Sequence, residues 1–162
     1  MRKKTLYVTT FAAIAGLVVA AIVVLAQQNE AGTGLLKPED RRVLAAGETL
    51  YVANCASCHG VKLEGQVEDW RSPGPDGLMP APPHDETGHT WHHTDQILFE
   101  ITKYGIVAAA NLKNYTSAMP VYEGVLTDAE IIAVLSYIKS TWPDEIRSGH
   151  DEMNTRYALE PK

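Results

Sequence analysis

Apolar positions along the chain are spaced in two different ways. From Leu6 to Ala26 they form a continuous run of 21 residues without a charge, preceded by Arg2, Lys3 and Lys4. At about 1.5 Å per residue such a helix is roughly 31 Å long, matching a hydrocarbon core of about 30 Å. Secretory h-regions span only about 7–15 residues, so residues 1–26 are expected to be a retained membrane anchor. The alternative is cleavage after Val24-Leu25-Ala26. In both cases the basic cap stays cytoplasmic and everything after Ala26 is exported. In a bacterium this means a single-pass inner-membrane protein with its domain in the periplasm. Residues 27–36 are polar and carry Ala31-Gly32-Thr33-Gly34 without apolar periodicity, as in a flexible tether.

Beyond the tether the spacing becomes helical. Pro38 to Asn54 places Val43, Leu44, Gly47, Leu50 and Tyr51 on one face, with Pro38 suited to the first helical position and Glu39 and Asp40 to the positive end of the dipole. Gly47 inside that helix costs about 1 kcal/mol relative to Ala, which a close helix crossing would explain. Gly60 to Pro83 is rich in Gly and Pro and reads as a long loop, of a length uncommon unless it serves something. Thr94 caps a short helix to Tyr104, with Ile97, Leu98 and Ile101 on one side and Gly105 ending it. Ala108 to Met119 is expected to be loop. Thr127-Asp128-Ala129-Glu130 is a capping box opening a helix whose face carries Ile131, Val134, Leu135 and Ile138, and Pro143 stops it. The polar tail 144–162 is expected to wrap the surface or fray, with at most a short helical turn.

The formal charge is −6, and setting aside the three N-terminal cations leaves −9 for residues 27–162. That balance argues against a nucleic-acid partner. It suits docking on a basic protein surface, or simply solubility.

The chemistry is concentrated in Cys55-Ala56-Ser57-Cys58-His59, which contains both cysteines of the chain. Cys-x-x-Cys-His is the attachment pattern of c-type haem: two thiols add across the two vinyl groups, and the adjacent His reaches the iron. A thioredoxin-like dithiol would need a βαβ setting and has no use for His59. A structural zinc site would need a second ligand pair.

A sixth iron ligand is then required. Met79, Met119, Met153 and the other histidines are the candidates. Met119 lies in a loop between two helices and precedes Pro120, which biases it to extended backbone and projects its thioether from a rigid segment. Met79-Pro80 repeats the dipeptide only 20 residues after His59, and Met79 and Met153 read as packing residues. His84, His89, His92 and His93 offer donors for copper or zinc, or are polar residues of a loop near the haem edge. Trp70 and Arg71, with Trp91 as rival, are candidate partners for the haem propionates, or else surface Arg and packed Trp.

Together these segments resemble class I cytochromes c over about Lys37 to Pro143, with residues 37–143 as the haem domain. The stretch from Pro80 to Asp95 resembles a bacterial subgroup of mono-haem cytochromes, often membrane-anchored. The resemblance implies an all-α fold, three to five helices wrapped around one covalent haem c and preceded by the transmembrane helix. It implies Gly47 and Tyr51 crossing Leu135 and Tyr137. It also implies a proline carbonyl, from Pro82 or Pro83, holding the ring of His59. The implied site is Cys55, Cys58, His59 and Met119, with His59 and Met119 on the iron. The implied role is an electron carrier rather than an enzyme, receiving electrons from a quinol-oxidising complex or dehydrogenase and passing them to a terminal oxidase. A fixed haem subunit of a larger complex is the alternative, and a haem enzyme or gas sensor with an open iron the more distant one.

Overall fold

The computed structural model describes residues 34–160. The expected anchor, 1–26, and the tether up to residue 33 lie outside the described residues. Among the described residues there is no strand, and no helix is long and apolar enough to cross a membrane. Four helices carry the architecture: α1 (Arg41–Asn54), α3 (Asp95–Tyr104), α5 (Asp128–Ser140) and α6 (Asp144–Leu159). Two single turns, α2 (Ala56–His59) and α4 (Ile106–Ala109), and a 3-10 turn at Thr90–His92 complete it.

The helix starts follow side-chain capping. α1 begins three residues later than Pro38 implies, because Asp40 is the cap: its carboxylate accepts from the N–H groups of Arg42 at 2.9 Å and Val43 at 3.3 Å. Thr94 caps α3, and Gly105 ends it at φ 82°. The segment after Gly105 is not all loop, since one further turn, α4, forms first. The capping box of α5 is complete: Thr127 N–H donates to Glu130 at 2.8 Å and Glu130 N–H to Thr127 Oγ1 at 3.3 Å.

α1 and α5 cross at Gly47. A Cβ there would stand 2.9 Å from Tyr137 Cβ and closer still to the Ala133 carbonyl, so only glycine admits this approach. Ala133 and Tyr137 stand against Gly47 itself, and Leu135 shares the core cluster with Tyr51. Tyr51 packs on Tyr137 with ring centroids 5.6 Å apart. Ile131, Val134 and Ile138 of α5 join Leu63, Leu98 and Trp142 in the same core.

The C-terminal segment departs most from expectation. Residues 144–159 form a 16-residue helix, α6, started by Pro143 and by Asp144 and Glu145 in its first turn. Its buried face is polar. Asp95 and Lys139 are 2% and 1% exposed, and the Lys139 ammonium stands 3.5 Å from Asp95 and 2.6 Å from Asp151 of α6. Asn154 accepts from the Asp95 N–H at 2.8 Å and donates to its carboxylate at 3.0 Å. Buried charges persist only when paired in this way. The same carboxylate accepts from the Leu36 N–H at 3.0 Å, and Leu36 is 4% exposed. The end of the expected tether, residues 34–36, thus packs with the folded unit.

Candidate haem site

The motif begins where α1 ends. Cys55 is the C-cap of α1, and its carbonyl accepts from the N–H groups of Cys58 at 3.1 Å and His59 at 2.9 Å, winding the motif into α2. Two tyrosines bracket this turn. Tyr51 Oη donates to the Gly60 carbonyl at 2.8 Å, just after the motif, and Tyr122 Oη to the Asn54 carbonyl at 2.6 Å, just before it. The first joins the Leu63 N–H, 3.2 Å away, on the Gly60 carbonyl, and the second satisfies the carbonyl of the last residue of α1.

The two cysteines form no disulfide with each other, Cys55 being half-buried and Cys58 exposed. Burial, with a smaller contribution from the neighbouring Cys58, pushes the Cys55 thiol up to about 11. Among the described residues there is no strand, so the βαβ setting of a thioredoxin-like dithiol is missing.

His59 is buried, and its Nδ1 lies 2.8 Å from the Pro82 carbonyl. A carbonyl only accepts, so Nδ1 carries the proton and Nε2 keeps its lone pair. Burial holds the ring below the ordinary histidine value, opposed by that hydrogen bond, so it is neutral at pH 7. A neutral imidazole with its second nitrogen hydrogen-bonded is the form that binds a metal. The structure selects Pro82 over Pro83 because Pro83 is wedged elsewhere. A Cβ on Gly65 would lie 2.8 Å from Pro83 N, and one on Gly88 would overlap the Pro83 carbonyl. Gln66 and Ala81 exchange bonds of 2.9 and 3.0 Å, which fixes the loop on its other side.

His84 packs apart from the other three histidines, whose rings lie together. His84 stacks on His59, centroids 4.0 Å apart and planes 19° apart, with its Nδ1 2.7 Å from Thr90 Oγ1. His92 stacks on Trp91, and His89 and His93 approach edge-on. Among the described residues no three His, Cys, Asp or Glu side chains are grouped to hold a metal ion. Burial holds both His89 and His93 below their ordinary value, helped by His92 and Arg71 beside His89 and by His89 and His92 beside His93.

Met119 is half-buried in the loop before α5, its N–H donating to Ser117 Oγ at 3.1 Å. Three residues on, Tyr122 ties that loop to Asn54, beside the motif, and the Tyr122 and Glu123 N–H groups bond the end of α3. Met79 and Met153 are half-buried, in the long loop and on α6. Trp70, with the Arg71 guanidinium 4.1 Å over its ring, lines a cavity of about 560 Å3 with Gln66, Pro83 and Thr87. Trp91 donates to Glu86 O at 3.3 Å within its own loop.

Sequence reasoning missed Tyr122, His84 as a neighbour of His59, and α6. For α6 a signal existed: Pro143 followed by two acids, then Ile146, His150, Asn154 and Tyr157 on one face. That face is mostly polar, so an apolar-period search passes over it.

An all-helical fold in which a Cys-x-x-Cys-His turn meets a proline carbonyl defines a haem protein of the c type. A cytochrome c family model matches residues 44–142, more than half of the chain, and the chain belongs to the cytochrome c family. No curated protein and no solved structure matches it. Its cofactor is covalently attached haem c, and the spacing of Cys55 and Cys58 fits that attachment. The match ends at Trp142, so α6 lies beyond it.

Proposed function

We propose that this chain is a mono-haem class I carrier of single electrons, with the haem bonded to Cys55 and Cys58 and the iron held by His59 and Met119. The observation that carries the reading is the His59–Pro82 bond, which occupies Nδ1 and leaves the Nε2 lone pair of a neutral, buried imidazole for the iron. The bound haem supplies reversible one-electron chemistry, and the protein supplies burial, axial ligands and a docking face. Pro82 keeps the proximal ring fixed, and the bond from Tyr122 to Asn54 keeps the Met119 loop against the motif. Trp70 and Arg71, which line the cavity beside Pro83, hold the propionates.

On this reading residues 1–26 anchor the domain in a bacterial inner membrane, facing the periplasm. Support comes from the 21-residue uncharged run behind a basic cap. The acidic domain docks on basic faces of a quinol-oxidising complex or dehydrogenase as donor and a terminal oxidase as acceptor.

A pyridine haemochrome spectrum of protein recovered from membranes tests haem type, attachment and anchoring together. The reduced protein should be low-spin and should not bind carbon monoxide at neutral pH. Met119→Ala should turn it high-spin and open to that ligand. An unchanged Met119→Ala spectrum would overturn the sixth ligand, and rapid carbon monoxide binding by the parent would overturn six-coordination.

A further inference from the structure

We propose that His84 is a positioning residue for the iron ligand, a flat wall that fixes the plane of the His59 imidazole. The proposal rests on His59 as the proximal ligand. One hydrogen bond, from Nδ1 to Pro82, sets which way the His59 ring points but leaves it a soft tilt about its own long axis. A second ring laid flat against it removes that freedom. His84 lies so: the centroids are 4.0 Å apart and the planes 19° apart.

A wall is useful only if it is itself held, and His84 is held at every end. Its N–H donates to the Leu63 carbonyl at 2.8 Å, and its own carbonyl accepts from Trp142 Nε1 at 2.8 Å. Its Nδ1 is 2.7 Å from the hydroxyl of buried Thr90, which in turn reaches the Pro83 carbonyl at 3.5 Å. Tyr51 closes the remaining side, edge-on at 6.2 Å. The stretch Pro82-Pro83-His84 therefore supplies both the acceptor for His59 and the surface against its ring. An aliphatic residue would leave the Thr90 hydroxyl without its short bond in a buried place. Histidine gives a flat face and a polar edge together.

The plane of an axial imidazole decides how ferric iron's d orbitals split, so its orientation is readable without any measurement of electron transfer. The test uses the full-length, haem-loaded protein and its His84→Ala, His84→Phe and Thr90→Val variants. Two spectra are recorded for each: ferric low-spin electron paramagnetic resonance, and the paramagnetically shifted haem methyl resonances. His84→Ala should shift and broaden the largest g value and rearrange the methyl pattern. His84→Phe, which keeps the flat face, should return both toward the parent, and Thr90→Val should give a smaller change in the Ala direction. Parent-like spectra for His84→Ala would overturn the proposal, as would Phe spectra matching those of Ala. If His84→Ala takes up no haem, Thr90→Val decides: altered spectra support the proposal and parent-like spectra overturn it. A parent with a high-spin ferric signal would remove Met119 as the sixth ligand and leave His59 in place, a failure visible on the parent alone; the haem methyl pattern would then decide between the variants by the same outcomes.

Discussion

Replacing Gly47 by Ala tests whether the α1–α5 crossing holds the haem motif in place. In an isolated helix the change would help, by about 1 kcal/mol. In this protein the new methyl would stand 2.7 Å from the Ala133 carbonyl carbon and 2.9 Å from Tyr137 Cβ. Overpacking of this kind costs about 1–3 kcal/mol. The obstacle includes backbone, which cannot rotate aside, so the upper end applies and the net loss is about 2 kcal/mol. For a folded unit of this size each kcal/mol moves Tm by roughly 3–5 °C, so a fall of roughly 6–10 °C is expected. Gly149, inside α6 with nothing within 4 Å of a Cβ, is the matched control. There the propensity gain acts alone, and Gly149→Ala should raise Tm by roughly 3–5 °C. Thermal unfolding of both haem-loaded variants, followed by far-ultraviolet circular dichroism, measures the pair. A Gly47→Ala protein as stable as the parent, or two shifts of the same sign, would refute the crossing.

Asp95→Ala should cost about 3 kcal/mol, because it leaves Lys139 buried with one partner and frees the Leu36 and Asn154 donors; a urea midpoint at unchanged m-value measures it. His150 should make folding sensitive to mild acid. Burial and Lys139 hold it below its ordinary value, opposed by its bond to the His93 carbonyl and by Asp95 and Asp151, with Asn154 and Trp142 also against the ring. Below about pH 6.5 the unfolded chain therefore binds a proton that the native state resists, so stability falls as pH drops through that region. Urea midpoints at pH 7.5 and 5.5 should diverge less for His150→Gln than for the parent, and equal divergence would count against this assignment. Tyr122→Phe removes the bond to the Asn54 carbonyl and should cost about 1–2 kcal/mol, seen as a lower urea midpoint with the haem still attached.

What the amino-acid order determined by itself is local. The attachment motif needs residues adjacent in the chain. The Thr127–Glu130 capping box spans one helical turn, and Gly105 ends a helix through its own backbone freedom. Gly47 announced a close approach without naming Ala133 as the partner. Tertiary structure decided the rest, because each remaining choice pairs groups distant in sequence. Whether Pro82 or Pro83 holds His59 depends on where Gly65 and Gly88 clamp the loop. That 144–159 is a helix, and where it packs, depends on Asp95 meeting Asn154, 59 positions away. A polar helix face carries no apolar period, so its burial becomes readable only once the opposing charges are in place. His84 is the sharpest case: in sequence it is one of four histidines in a loop, and only the fold lays it against the ring of His59.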